Sequence, residues 1–147
     1  KMSKTFFYIS LITSLICTKS AYSQSLPDSL FGAWKLIQIS GGLGGNDHSK
    51  PNHNAIIFSS DCKFKAYLKN TLKSSSNFNL WKSTSIYSST DSVYNIQIDD
   101  KFTFWGSFTV YNNILYIRDE MHDGFTHVYR RIYSREKIDQ LLKKETY

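Results

Sequence analysis

Three residues near the end of the chain, His127, Tyr129 and Arg131, have the types and the spacing of a binding site on one strand. Successive side chains of a strand point to opposite faces, so residues two apart share a face. An arginine can bind a carboxylate through two hydrogen bonds, and a tyrosine hydroxyl can donate a third, which offsets the burial of the charge. These residues therefore predict a site for a carboxylate-bearing ligand. The alternative is that Arg131 has a structural partner, and that His127 and Tyr129 belong to the wall.

Two other groups of residues contain binding chemistry without matching a known motif. The first holds potential metal ligands, but their spacing indicates a solvated hairpin tip; they are Asp119, Glu120, His122, Asp123 and His127. The second is the glycine-rich segment 41–45, which lacks the helix start that a phosphate-binding loop requires. We therefore predict no metal ion and no cofactor, and we interpret His48 and His53 as polar loop residues.

No catalytic motif is readable in the sequence. It has no Gly-x-Ser-x-Gly segment and no pair of carboxylates at a catalytic spacing. Cys62 has no neighbour in the sequence that would activate its thiol. We predict that the protein is not an enzyme, and we assign no catalytic residue.

An alternation of apolar and polar residues with a period of two runs from residue 30 to residue 132 and predicts eight strands. We expect the strands at 30–40, 55–59, 63–68, 78–87, 93–98, 102–111, 114–119 and 125–132. Most connections are short, and Asn112-Asn113 is typical of a tight hairpin because asparagine tolerates a positive φ. Such a meander can close into a barrel that removes its exposed edges and has room for side chains or one small ligand.

The end of the chain follows a different pattern. Ser134 can cap a helix, and Ile138, Leu141 and Leu142 would share one face of it. The sequence therefore predicts an all-β protein, an eight-stranded antiparallel up-and-down barrel with a short C-terminal helix. We place the barrel domain at 24–132 and the helix or tail at 133–147.

Residues 1–23 have the pattern of a signal peptide. Lysines precede an apolar run, 6–17, that is too short to span a membrane, and small residues before Gln24 predict cleavage there. We do not expect lipid attachment at Cys17, because the large Ile16 precedes it. Residues 1–23 hold three lysines and no acid, so cleavage lowers the formal charge from +6 to +3, too little to indicate a nucleic-acid partner. We predict export to the periplasm or the medium, with no membrane span in the mature chain.

The two ends of the strand region resemble the lipocalin superfamily. Gly32 and Trp34 stand on the first strand, and Arg130 and Arg131 stand on the last. In that superfamily the tryptophan lies at the closed end of the barrel, and an arginine of the last strand packs over it. The resemblance implies that Gly32, Trp34 and Arg130 or Arg131 close the barrel. It is strongest to lipocalin-like domains of exported bacterial proteins and covers residues 30–132.

The resemblance also implies the place of a ligand. In lipocalin-like barrels the first loop lies across the open end, as a lid or as a simple connection, and fatty-acid-binding barrels hold a carboxylate with an arginine and a tyrosine of the last strand. We therefore expect a non-enzymatic binder of a small apolar or amphipathic molecule. Together with His127, Tyr129 and Arg131, the residues expected to line its cavity are Phe64, Leu68, Phe78, Phe104, Phe108 and Tyr116. The alternative is a ligand-free scaffold that binds a protein or glycan at the cell envelope through loops and exposed aromatics, namely Tyr67, Trp81, Tyr87 and Trp105.

Overall fold

The computed structural model describes residues 27–42, 52–98 and 104–143. Within these ranges, the side chains of 88–91, 104, 105 and 143 are not described. The predicted signal peptide, its cleavage site, Cys17 and most of the glycine-rich segment 41–45 therefore lie outside the described residues.

The described chain forms a closed barrel of eight strands. In chain order they are β1 (Gly32–Gly41), β2 (Ala55–Phe58), β3 (Lys63–Leu68), β4 (Thr71–Ser85), β5 (Ser88–Ile98), β6 (Phe104–Tyr111), β7 (Ile114–Asp119) and β8 (Phe125–Ile132). Each strand pairs antiparallel with the next, and β8 pairs with β1. A 3-10 helix, Asp28–Leu30, precedes the barrel, and one helix, α1 (Arg135–Lys143), follows it. The predicted fold is confirmed.

The largest difference from the sequence-based strands is the start of β4. It begins at Thr71 and not at residue 78, so it includes the polar run 71–77. Ser74 lies opposite Ala66 and Ser76 lies opposite Phe64, so both hydroxyls face the interior. A strand whose inward residues are serines has no apolar alternation, and for this reason the pattern misses it.

The closed end of the barrel depends on Trp34, which is 0 % exposed. Its indole N–H donates a hydrogen bond of 2.8 Å to the Leu30 carbonyl. Arg131, its cross-strand partner, places its guanidinium carbon 4.1 Å from the indole centroid. Arg131 also donates to the carbonyls of Phe31, at 2.6 Å, and Ser29. The guanidinium thus ties the segment before β1 to the end of β8.

The structure separates the two arginines expected at this closure. Arg131 contacts Trp34, whereas Arg130 is exposed on the outer surface. The assignment of Arg130 to the closure is therefore wrong, because adjacent residues of a strand point to opposite faces. The same geometry removes Arg131 from the expected carboxylate site.

We predict that Gly32→Ala destabilises the protein by about 1–3 kcal/mol. Gly32 has a φ of +128°, and a β-carbon there would lie 2.7 Å from Nη1 of Arg131. The guanidinium is held by Trp34 and two carbonyls, so it cannot move aside without losing contacts. Urea unfolding gives the cost. In an Arg131→Met background the cost should fall, since only the backbone strain remains, and an unchanged cost would contradict this explanation.

Helix α1 covers one outer patch of the barrel. Leu141 packs against Tyr67 and Ala55, and Ile57, Leu72 and Ile132 border this contact. Tyr67 is consequently 0 % exposed, so its expected place among exposed aromatics is wrong. At nine residues α1 is far too short to cross a bilayer, and the described residues include no long apolar helix.

Candidate functional site

A cavity of about 210 Å³ lies inside the barrel. Four apolar and four polar side chains line it: Ile56, Phe64, Ile98, Ile117, Asn52, His53, His127 and Tyr129. Phe64 also belongs to the apolar core, where the ring centroid of Phe58 lies 5.3 Å from that of Phe64 and 5.2 Å from that of Phe78. An apolar cavity of roughly 150 Å³ holds benzene, so this one has room for a single substituted ring.

The polar end of the cavity is a chain of three hydrogen-bonded groups. Nδ1 of His53 lies 2.8 Å from Oδ1 of Asn52, and Nε2 lies 2.8 Å from the Tyr129 hydroxyl. An amide oxygen can only accept, so Nδ1 carries the proton and donates it to Asn52. Nε2 is then an acceptor, and the Tyr129 hydroxyl donates to it. This arrangement leaves the lone pairs of the tyrosine oxygen available to another donor.

Burial keeps the imidazole of His53 and the phenol of Tyr129 neutral at pH 7. The pKa of His53 falls from 6.5 to about 4, chiefly because burial disfavours the imidazolium and secondly because His127 is close. Burial, together with the negative charge of Asp119, raises the pKa of Tyr129 far above its usual value. The imidazole therefore accepts a hydrogen bond, and the phenol stays protonated.

The ring of Tyr129 stacks with two imidazoles. His53 lies with its centroid 6.0 Å away and its plane tilted by 16°, and the corresponding values for His127 are 6.5 Å and 19°. His127 and Tyr129 stand two apart on β8, opposite Ile117 and Leu115 of β7. Strand pairing on one side and the loop before β2 on the other thus hold the tyrosine oxygen in a set position.

The structure brings together only part of the predicted site. His127, Tyr129 and Phe64 line the cavity, whereas Phe78 and Phe108 are core residues outside its lining. Leu68 is half-buried on β3 and does not contact the cavity. The side chain of Phe104 lies outside the described part of the chain.

Two of the expected site residues are placed wrongly. Tyr116 is 37 % exposed and points outward, because its neighbours Leu115 and Ile117 face the interior. Arg131 is bound to the closed end of the barrel, so Tyr129 and Arg131 do not form a carboxylate clamp. Tyr116 is misplaced because the alternation does not fix which face of β7 is inward. Arg131 is misplaced because its guanidinium packs over Trp34 instead.

The main residue that sequence reasoning missed is His53. It precedes the apolar strand β2 and reaches Tyr129 across 76 positions of sequence. The interpretation of His53 as a loop residue is correct for the backbone and wrong for the side chain, which is 9 % exposed. A histidine two positions before a fully apolar strand is the one local signal that could have indicated it.

The acidic turn after β7 serves the fold. The Asp119 carboxylate accepts a hydrogen bond of 3.0 Å from the Phe125 N–H. The Glu120 carboxylate accepts hydrogen bonds from the Ser85 hydroxyl and the Ile86 N–H of the β4–β5 hairpin. The phenol of Tyr87, a candidate exposed aromatic, donates to the Met121 carbonyl of the same turn. Within the described ranges, no three His, Cys, Asp or Glu side chains are grouped so as to hold a metal ion.

A scan against protein-family models and searches of curated proteins and of solved structures find no match to this chain. The functional assignment therefore depends on the cavity and its chemistry.

Proposed function

We propose that the protein is a non-enzymatic binding barrel for a small, uncharged and mostly apolar molecule that carries one hydrogen-bond donor. The observation that carries this proposal is the hydrogen-bond chain from Tyr129 through His53 to Asn52 at the edge of an apolar cavity. The direction of that chain determines what the ligand must offer.

The Tyr129 hydroxyl has one hydrogen, which it donates to His53. Its oxygen can therefore make a further hydrogen bond only as an acceptor. A ligand that reaches it must donate, as an alcohol, a phenol or an N–H group does. Most of the remaining wall is formed by the apolar side chains of Ile56, Phe64, Ile98 and Ile117, which favour an apolar body, and His127 completes it.

The charges around the cavity disfavour an ionised ligand. No lysine or arginine is among the described residues that line it, and His53 is neutral at pH 7. A carboxylate would lose its hydration without gaining a permanently charged partner, since the described lining residues offer it only the imidazole of His127. We therefore propose an uncharged ligand in place of the carboxylate that the sequence predicts.

We also propose that the chain is an exported lipocalin-like protein. The N-terminal pattern supports the export, and the Trp34–Arg131 contact at the closed end supports the kinship. A scaffold that binds through exposed aromatics has less support, because Tyr67 is covered by α1 and Tyr87 is hydrogen-bonded to the turn after β7.

Calorimetric titration of the full chain with p-cresol and with p-xylene tests the proposed ligand class. The two molecules have nearly the same shape, and only p-cresol has a donor. We expect both to bind at one site. Replacing His53 and Tyr129 together, as His53→Leu/Tyr129→Phe, should lower the preference for p-cresol at least about tenfold, since one hydrogen bond is lost. The double variant is chosen because Tyr129→Phe alone leaves Nε2 of His53 open to p-cresol.

The matched control is Tyr116→Phe, which removes a hydroxyl from the outer face of the barrel. It should leave the ratio of the two affinities within about twofold, since surface changes away from a site have little effect. The proposal is contradicted if neither molecule binds, or if the double variant retains the preference of the wild type.

A further inference from the structure

A second, larger recess lies on the outside of the barrel, between α1 and the strands β1 and β8. Its volume is about 490 Å³, within the range of small-molecule sites. The floor is apolar and is formed by Ala55, Ile132 and Leu141. We call this recess the α1 groove. It is separate from the interior cavity, with which it shares no lining residue.

The α1 groove gathers positive charge. Lys35 and Arg130 are exposed and lie directly opposite each other in the β1–β8 pairing, and Lys137 projects into the groove from α1. No acidic side chain lines it among the described residues, since Glu136 and Asp139 of α1 lie outside its lining. Like charges directly opposite on a sheet are destabilising. An anion bound between them would relieve this repulsion.

The rim of the α1 groove is apolar as well as cationic. Ile37 is 44 % exposed and Tyr133 is 68 % exposed, and both line the groove. Large apolar side chains that stand together at a recess mark a surface for contact with a ligand or partner. A free inorganic anion would use the cations but leave these side chains exposed to water.

We propose that the α1 groove binds an amphipathic anion, a molecule with a carboxylate, phosphate or sulfate head and an apolar body. The head lies between Lys35 and Arg130, where charge-assisted hydrogen bonds from both are available. The body covers Ile37, Tyr133 and the apolar floor. This site differs in chemistry from the interior cavity, and it stands whether or not that cavity binds a ligand.

Titration of the full chain with octanoate, 1-octanol and inorganic phosphate, each in the presence of excess p-cresol to occupy the interior cavity, tests the site. We expect octanoate to bind more tightly than the other two, because only octanoate has both the charge and the apolar body. The variant Lys35→Gln/Arg130→Gln should weaken octanoate binding at least about tenfold. The control Lys63→Gln/Lys73→Gln removes the same charge from exposed lysines outside the groove and should change it less than about twofold. Equal losses in the two variants would mean general attraction to a basic protein and would overturn the proposal.

The remaining outcomes also decide the matter. If octanol binds as tightly as octanoate, the cations have no role in binding. If phosphate binds as tightly as octanoate, the apolar rim has no role. Either result, or no binding of octanoate at all, contradicts the proposal. Lys35→Glu gives a second readout, because it places an acid opposite Arg130. It should raise the melting temperature and abolish octanoate binding while leaving p-cresol binding unchanged.

Discussion

Arg131→Met is expected to lower the free energy of unfolding by about 2–4 kcal/mol, whereas Arg130→Met changes it by less than about 0.5 kcal/mol. The two arginines are adjacent on β8 and differ in their surroundings. Arg131 lies over the indole of Trp34 and donates to two carbonyls of the segment before β1. Its loss exposes the indole and leaves those carbonyls to find new partners. Arg130 is exposed on the outside.

Urea unfolding followed by tryptophan fluorescence measures both variants. A double-mutant cycle with Trp34→Phe then isolates the contact, and we expect a coupling of about 1 kcal/mol between the two positions. Equal effects of Arg131→Met and Arg130→Met would show that the closed end does not depend on this pair. Such a result would remove the physical basis for comparing it with the closed end of lipocalins.

Acidification is expected to destabilise the protein well before its carboxylates are protonated. The pKa of His53 is 6.5 in the unfolded chain and about 4 in the fold, so the unfolded chain binds this proton first. The contribution of His53 to the free energy of unfolding is therefore fully present above about pH 6.5 and is lost as the pH falls toward 4. Over the whole interval, the difference between the two pKa values of His53 corresponds to a loss of about 3 kcal/mol in the free energy of unfolding. Urea midpoints measured from about pH 7 down to about pH 5 cover the upper part of this loss, in a range where histidines titrate and carboxylates do not.

The control for this pH dependence is His53→Gln, whose midpoint should fall much less over the same interval. The titration of Glu120 lies below this pH interval and so does not contribute to the slope. Burial acts to raise its pKa, but hydrogen bonds from Ser107, Ile86 and Ser85 outweigh that effect, so the net shift is downward and acts at lower pH. His122→Gln, an exposed change, should retain the slope of the wild type. A wild-type slope in His53→Gln would mean that another group is responsible.

The parts of this protein that could be predicted from sequence are those with local patterns. The alternation along β7 predicts a strand, and Asn112-Asn113 predicts the turn before it, where both residues have a positive φ. The same alternation does not say which face is inward, and the expected inward position of Tyr116 is wrong. The start of β4 was missed because its inward residues, Ser74 and Ser76, are not apolar.

The chemistry of the cavity depends on contacts that no local pattern encodes. The spacing of Tyr129 from His127 predicts its place in a site, but its hydrogen-bond partner, His53, comes from the loop before β2, 76 positions earlier in the sequence. The role of Arg131 shows the opposite case. Two uses of the same side chain were chemically reasonable, and the position of Trp34 decided between them.

The central claim is that the interior cavity holds a guest molecule, and native mass spectrometry of the protein, purified without denaturation from the cells that make it, tests this most directly. We predict that about one uncharged small molecule is bound per protein chain, stays bound through desalting and is released on denaturation. Ile117→Phe, which fills the cavity, should abolish the adduct, whereas Gln97→Phe, an exposed change on β5, should not. A bare mass for the wild type that is also unchanged after incubation with p-cresol would contradict the claim.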